Sequence, residues 1–240
     1  MKGNEMNVPT KQLARITGLF YLLIIFCGLY GGMVVRGAIV HPLDPNATLQ
    51  QLIANESLYR TGFLGDLIMV VSDVMISVLF YFLLRPVHKG IATIATVFRL
   101  IQSAVLGANL INLFKPVLMI QGHENMDASQ LGNLALEVSR QLQVFDFGYL
   151  ISGVFFAINC LLMGYLIYKA TIFPSFLGIM MTLAGFGYLF NCMANFLAPS
   201  LIETSEILMF FTAVIAELTF CLYLLIKGIQ REFIENTQES

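Results

Sequence analysis

The chain has 240 residues, of which 58% are hydrophobic and only 12% are charged, and its formal net charge is -2. Soluble domains carry about 25% charged residues, so this chain has too few charges to cover a water-exposed surface. The composition therefore predicts an integral membrane protein. The lack of a basic excess argues against nucleic acid as a partner.

Long apolar segments dominate the sequence. A membrane-spanning helix needs about 20 mainly apolar residues. The segments that meet this requirement are residues 14–35, 61–84, 90–114, 142–168, 174–197 and 204–226. They predict an all-α fold, a polytopic bundle of six transmembrane helices that forms one membrane domain over residues 14–228. Residues 1–13 and 229–240 are predicted to be a cytoplasmic N-terminal segment and a cytoplasmic tail.

The distribution of lysine and arginine indicates how the spans are oriented, because cytoplasmic loops are enriched in these residues. If both termini are cytoplasmic, the cytoplasmic side holds Lys2, Lys11, Arg15, Arg85, Lys89, Lys169, Lys227 and Arg231. The outer side then holds Arg36, Arg60, Lys115 and Arg140. This imbalance predicts an N-in, C-in topology.

Two longer polar segments are predicted on the outer side, at residues 36–60 and 121–141. In the first of them, Leu49, Leu52 and Ile53 recur at helical spacing. This spacing predicts a short interfacial helix in the first outer loop, lying on the membrane surface.

Two aspartates interrupt the second apolar segment. Asp66 and Asp73 are separated by close to two helical turns, so they share one face of the helix. An ionisable group deep in a bilayer costs at least about 2.5–3.5 kcal/mol. The shared face is therefore expected to point into the bundle or into a water-filled cavity.

Asp73 and polar residues of three other spans are predicted to lie at one depth. Counted along each helix from its cytoplasmic end, Asp73, Arg99, Asn159 and Glu217 lie about 15–18 Å deep, near the bilayer centre. Two carboxylates then face one arginine, so one of them must take up a proton or bind a cation. We interpret the group as a proton- or cation-linked site in which Arg99 holds an anionic part of a ligand. The alternative is that an Arg99–Asp73 pair and a protonated Glu217 merely tie helices together.

A second polar set is predicted nearer the outer surface, about 28–35 Å from the cytoplasmic ends. These secondary candidates are Asp66, Asn109, Asn112, Asp146, Asn191 and Asn195. Asparagine side chains often form hydrogen bonds between membrane helices, and the four asparagines are interpreted mainly as such contacts. Asp66 and Asp146 are expected to lie close enough to the interface to be hydrated.

Motifs for catalysis or cofactor binding are absent from the sequence. His41, His88 and His123 lie in predicted loops, and the cysteines lie within apolar segments. The patterns of zinc peptidases, serine hydrolases and phosphate-binding loops do not occur. We therefore expect no metal, no cofactor and no catalytic residue set. The aromatic residues are interpreted mostly as lipid-facing or interfacial side chains.

Several stretches of distinctive order and spacing carry a family resemblance. They are "ANESLYRTGFLGDL", "FYFLLRPV", "FRLIQSAVLGANLINLF", "CLLMGYLIY", "FPSFLGIMMTLAGFGYLF" and "AELTFCLYLLIKG". Through them the chain resembles, over residues 10–230, an uncharacterised bacterial multi-pass membrane family known as domain of unknown function 4386. The resemblance implies a six-span bundle in a bacterial inner (plasma) membrane and brings no established activity.

The resemblance also implies that the family's recurrent polar positions fall on Asp66, Asp73, Arg99 and Glu217. Asn159 departs from the histidine, and Asn191 from the acidic residue, that many relatives carry at those positions. These departures argue against a proton relay through the fourth and fifth spans.

Three kinds of function are compatible with these features. The leading one is binding or transport of a small molecule or ion through a polar cavity lined by spans 2, 3, 4 and 6, linked to a proton on Asp73 or Glu217. A second copy of the chain would supply the wall that a six-helix transporter lacks. A sensor or accessory subunit without chemistry is the second. The third is an intramembrane enzyme acting on a lipid-like substrate with a carboxylate acid or base and Arg99 as anchor, although the sequence lacks a nucleophile–base pair.

Overall fold

A computed structural model of the protein describes residues 10–229. Within this range, six helices are long and apolar enough to cross a membrane, which confirms the predicted all-α bundle of spans. The first four are α1 (Lys11–Ile39), α3 (Glu56–Leu84), α4 (Lys89–Met119) and α5 (Ala128–Lys169). The last two are α6 (Ser175–Leu197) and α7 (Ile202–Ile226), the latter preceded by a 3₁₀ turn at Pro199–Leu201.

The first span changes its helical form before it ends. It is α-helical over Lys11–Leu29, π-helical over Tyr30–Arg36 and α-helical again over Gly37–Ile39. π-Helical segments are rare in proteins and are frequently found at functional sites. The π-helical segment of α1 ends on Arg36, whose side chain forms an ion pair described below.

The predicted short helix of the first outer loop is present as α2 (Pro45–Ala54). Asp44 caps it, because the Asp44 Oδ1 atom accepts a hydrogen bond of 2.9 Å from the backbone N–H of Ala47. Leu49 and Leu52 are buried, as expected for the inward face of an amphipathic helix. Its position on a membrane surface stays a prediction.

The helix that contains the fourth predicted span begins well before that span. We predicted a polar outer segment over 121–141 and a span over 142–168, and α5 starts at Ala128, inside the polar segment. A capping box opens this helix: Gln130 N–H donates to Asp127 Oδ1, and Asp127 N–H donates to Gln130 Oε1, each over 2.8 Å. Leu134 and Val138 then form a buried stripe that the polar residues around them conceal in the sequence.

The described residues form two compact units. Unit 1 comprises residues 10–22, 72–103 and 152–229, and unit 2 comprises residues 23–71 and 104–151. The predicted single domain over 14–228 stays a prediction, and most of the two predicted terminal segments lies outside the described residues.

Each unit has its own core. In unit 1, the ring of Phe80 stacks on Phe220 at 5.7 Å, and Tyr21 meets Phe80 edge-on at 6.0 Å. In unit 2, a mainly aliphatic cluster includes Leu106, Leu110, Leu113, Val138 and Leu142.

Two glycines bring α5 and α6 into backbone contact in unit 1. A Cβ atom added at Gly178 would lie 2.6 Å from the backbone oxygen of Gly164 and would also overlap the backbone nitrogen of Tyr168. A Cβ atom added at Gly164 would lie 2.9 Å from the backbone oxygen of Gly178. Only glycine fits at these two positions without moving one helix away from the other.

Candidate functional site

Arg99 and Asp73 form a buried ion pair in unit 1, between α4 and α3. The Nε atom of Arg99 donates to Asp73 Oδ1 over 3.0 Å, and its Nη2 atom donates to the same oxygen. Arg99 is 3% exposed and Asp73 is 4% exposed. Two charges this far from water are stable only when each neutralises the other, so the pair must be kept together.

Asn159 of α5 completes the hydrogen bonding of the guanidinium group. Arg99 Nη1 donates to Asn159 Oδ1 over 3.4 Å, and Asn159 Nδ2 donates to the backbone oxygen of Ala95 over 2.8 Å. The Cζ atom of Arg99 lies 5.1 Å from the ring centroid of Phe156 and 5.9 Å from that of Phe80. The aromatic faces add cation–π attraction and exclude water.

Glu217 lies on α7 beside this pair, and its carboxyl group is buried although the residue as a whole is partly exposed. Its Oε1 atom accepts a hydrogen bond of 2.6 Å from the hydroxyl group of Tyr188 on α6. Its carboxyl group also interacts with the hydroxyl of Tyr21 and, through space, with the charges of Arg99 and Asp73. Because Asp73 already neutralises Arg99, Glu217 is the second negative charge beside a single positive one.

The structure therefore brings together Asp73, Arg99 and Asn159 by direct contact and places Glu217 near them. We call these four residues, with Tyr21 and Tyr188, the inner polar cluster. The cluster consists of a fixed ion pair and of the Glu217 carboxyl group, to which the hydroxyls of Tyr188 and Tyr21 can donate hydrogen bonds. Chemically, such an arrangement can hold and release a proton or a cation at Glu217 without disturbing the ion pair.

The secondary asparagines of unit 1 lie in a separate contact. Asn195 Nδ2 donates to the backbone oxygen of Asn191 over 2.9 Å, and Ser205 Oγ donates to Asn191 Oδ1 over 3.1 Å. The first bond lies within α6, and the second ties α6 to the start of α7.

The secondary asparagines of unit 2 form a chain of amides between α4 and α5. Asn109 Nδ2 donates to the backbone oxygen of Phe145 over 2.7 Å, and Asn112 Nδ2 donates to Asn109 Oδ1 over 2.9 Å. Gln141 Nε2 continues the chain with a bond of 2.9 Å to Asn112 Oδ1. Such bonds hold membrane helices together.

Asp66 lies in a second buried ion pair, in unit 2. We expected this carboxylate to be hydrated, but Asp66 is 1% exposed and forms a two-point ion pair with Arg36. The expectation was wrong because the π-helical end of α1 brings Arg36 back to the helix that carries Asp66. Gly31 makes room for the pair, since a Cβ atom there would lie 2.9 Å from both carboxylate oxygens of Asp66. Asp146, by contrast, is exposed on α5.

A family described as Domain of unknown function (DUF4386) matches residues 16–228 of the chain. The chain belongs to this family. It is also similar to a protein of Archaeoglobus fulgidus named "Uncharacterized protein", with 27% identity over 167 residues that cover 70% of this chain and 83% of the relative. No solved structure matches the chain.

Membership of this family agrees with the six helices that can span a membrane, and the matched residues 16–228 include every candidate site residue. The family has no assigned activity, so the geometry of the inner polar cluster is the basis for a functional proposal. Two members of the cluster, Tyr21 and Tyr188, were missed in the sequence analysis, as was Phe156, whose ring packs against Arg99.

Tyr21 is an exception to the interpretation of most aromatic residues as lipid-facing or interfacial, because it is 1% exposed. A signal was present in the sequence, because Tyr21 and Tyr188 lie well inside apolar segments and not at their ends. A tyrosine hydroxyl in the interior of a span needs a hydrogen-bond partner, and a carboxylate is a suitable one.

Proposed function

We propose that this protein binds or transports a small molecule or ion within the membrane and couples that event to proton exchange at Glu217. The observation that carries the proposal is the charge balance of the inner polar cluster. Arg99 is neutralised by Asp73 through contacts to one carboxylate oxygen. Glu217 is then an additional carboxylate, and inside a bilayer it needs a proton or a bound cation.

The partners of the two acids separate their roles. Asp73 is held by the charge of arginine, whereas Glu217 is held by neutral hydroxyl groups. Glu217 can therefore gain or lose a proton while the ion pair keeps α3 and α4 in place. In this proposal α3, α4, α5 and α7 line the ligand path, and the Tyr188 hydroxyl stabilises the carboxylate each time the proton leaves.

Glu217→Gln is expected to abolish proton exchange, because glutamine keeps the size and the hydrogen bond to Tyr188 but cannot ionise. The measurement is infrared difference spectroscopy of the full chain in lipid as the pH is changed. The parent protein is expected to show a protonated-carboxyl band that Glu217→Gln removes. In liposomes, proton flux driven by a potassium gradient is expected to fall to the level of protein-free vesicles in the variant.

Glu206→Gln is the matched control, since Glu206 is an exposed acid on the same helix. It should leave both the band and the flux unchanged. The proposal fails if Glu217→Gln retains the band and the parental flux. It also fails if the parent moves no protons and shows no titrating carboxyl, in which case the cluster serves only to join helices in a sensor or accessory protein.

We infer that the protein resides in a bacterial inner membrane, as its family resemblance implies, and that both termini are cytoplasmic, because lysine and arginine are in excess on the side that the termini would share. Single cysteines introduced by Lys89→Cys and Glu124→Cys test the orientation, because the four native cysteines are buried. In intact cells, an impermeant maleimide is expected to label Glu124→Cys and to spare Lys89→Cys until the membrane is opened. The reverse pattern would overturn the orientation.

A further inference from the structure

A pocket of about 350 Å³ lies in unit 1, between the loop that joins α3 to α4 and the loop that joins α5 to α6. Its polar lining consists of His88, Tyr165, Lys169 and Thr171, and its apolar lining includes Val87 and Ile172. The volume falls within the range of about 300–1,000 Å³ that is typical of small-molecule sites. The pocket is separate from the inner polar cluster, with which it shares no residue.

The pocket lies where four spans end. Helix α3 ends at Leu84, α4 begins at Lys89, α5 ends at Lys169 and α6 begins at Ser175. The ends of spans coincide with the headgroup layer of a bilayer, because the spans themselves fill the hydrocarbon core of about 30 Å. The pocket is therefore at the depth of phospholipid phosphates, and its mixed lining suits the boundary between headgroup and acyl chain.

The charge of this region is entirely positive. Residues 85–91 and 168–176 contain Arg85, His88, Lys89 and Lys169 and no aspartate or glutamate. Two of these basic residues, His88 and Lys169, line the pocket itself. The pocket therefore favours a negatively charged ligand. Basic pockets between membrane helices are known to bind anionic lipid headgroups.

The hydrogen-bond donors of the pocket fit a phosphate group. The Nδ1 atom of His88 accepts a hydrogen bond of 3.1 Å from the backbone N–H of Ile91. In the neutral ring the proton is then on Nε2, so His88 can donate to an anion. Lys169 and the hydroxyl of Thr171 supply further donors, and Lys169 also lies over the ring of Tyr168 at 5.8 Å.

From this lining, depth and charge, we propose that the pocket binds the phosphate of an anionic phospholipid. Val87 and Ile172 contact the glycerol and upper acyl chain, and Tyr165 borders the lipid side. A lipid bound here holds together the two loops on this side of unit 1.

The experiment is native mass spectrometry of the full chain in detergent, titrated with phosphatidylglycerol and, separately, with phosphatidylcholine. The parent is expected to bind one phosphatidylglycerol more tightly than phosphatidylcholine. Lys169→Gln and Thr171→Val, made singly, are each expected to weaken phosphatidylglycerol binding, Lys169→Gln by about tenfold because it removes a charged donor to phosphate. Neither change removes a helix cap, so folding should be retained, and thermal unfolding in detergent checks this.

Lys227→Gln is the matched control, because Lys227 is an exposed lysine at the end of another span of unit 1 and does not line the pocket. It should leave the tightly bound phosphatidylglycerol in place. Equal weakening by Lys227→Gln and Lys169→Gln would overturn the proposal, since only general surface charge would then be at work. Displacement of the lipid by an equal concentration of glycerol 3-phosphate would also overturn it, because the site would then prefer a soluble phosphate.

Discussion

Asp73→Asn is expected to lower the free energy of unfolding by about 3–5 kcal/mol, because it removes the carboxylate that the buried guanidinium group of Arg99 contacts. Arginine cannot escape this cost by losing its proton. Asn159 and the face of Phe156 remain as contacts but are neutral, and Glu217 interacts with Arg99 only through space. Unfolding of the purified protein by SDS in mixed micelles, followed by circular dichroism, measures the change.

Further variants test whether the loss of stability in Asp73→Asn comes from the broken ion pair. Arg99→Gln should cost less than Asp73→Asn, because a buried aspartate can take up a proton and become neutral. The double variant Asp73→Asn with Arg99→Gln should recover part of the loss, since the guanidinium group and its counter-charge are then removed together. Glu206→Gln removes an exposed acid and should change stability by no more than about 0.5 kcal/mol. Equal losses for Asp73→Asn and Glu206→Gln would contradict the buried ion pair.

Gly178→Ala is expected to lower the free energy of unfolding by about 3 kcal/mol, because the new methyl group would meet backbone atoms and not flexible side chains. Its Cβ would lie 2.6 Å from the backbone oxygen of Gly164. Relief requires moving α6 away from α5, which would loosen the helix that carries Tyr188. The same SDS titration measures stability, and the infrared signal of Glu217 reports whether the cluster is disturbed.

Gly132→Ala is the control for helix propensity. Gly132 lies inside α5, and a Cβ atom there would meet nothing within 4 Å. Alanine is the better helix former, so Gly132→Ala should be neutral or should stabilise the protein by about 0.5–1 kcal/mol. If Gly178→Ala were as well tolerated as Gly132→Ala, the close contact between α5 and α6 would be refuted.

Features that depend on neighbouring residues in the chain could be predicted from the sequence. The fourth span shows the limit of such predictions. Its apolar part, 142–168, was recognisable because twenty or more apolar residues have no alternative to a bilayer or a core. Its first turns were missed, although Asp127 and Gln130 have the spacing of a capping box. The apolar residues of those turns recur at helical spacing among polar ones. A search for long apolar segments does not detect such an amphipathic pattern.

The contact partners of the buried charges were harder to predict from the sequence than the helices were. Asp73 and Arg99 could be matched by depth, because rise per residue is nearly constant along a helix. The partner of Asp66 could not, since Arg36 lies on a π-helical segment and was counted as a charge of the outer loop. The hydroxyls of Tyr21 and Tyr188 were also missed, because depth alone does not say which way a side chain points.

The sequence by itself determined the class of protein, its six segments that are able to cross a membrane and the level of its unusual polar residues along each helix, because all three depend on composition and on distance along one helix. Only the tertiary structure decided which polar groups meet. Contact between helices depends on how each is rotated and how closely small residues such as Gly31 and Gly178 let backbones and side chains approach. For that reason Glu217 could be recognised from sequence as a costly carboxylate, while its tyrosine partner and its place beside an already neutralised Arg99 required the fold.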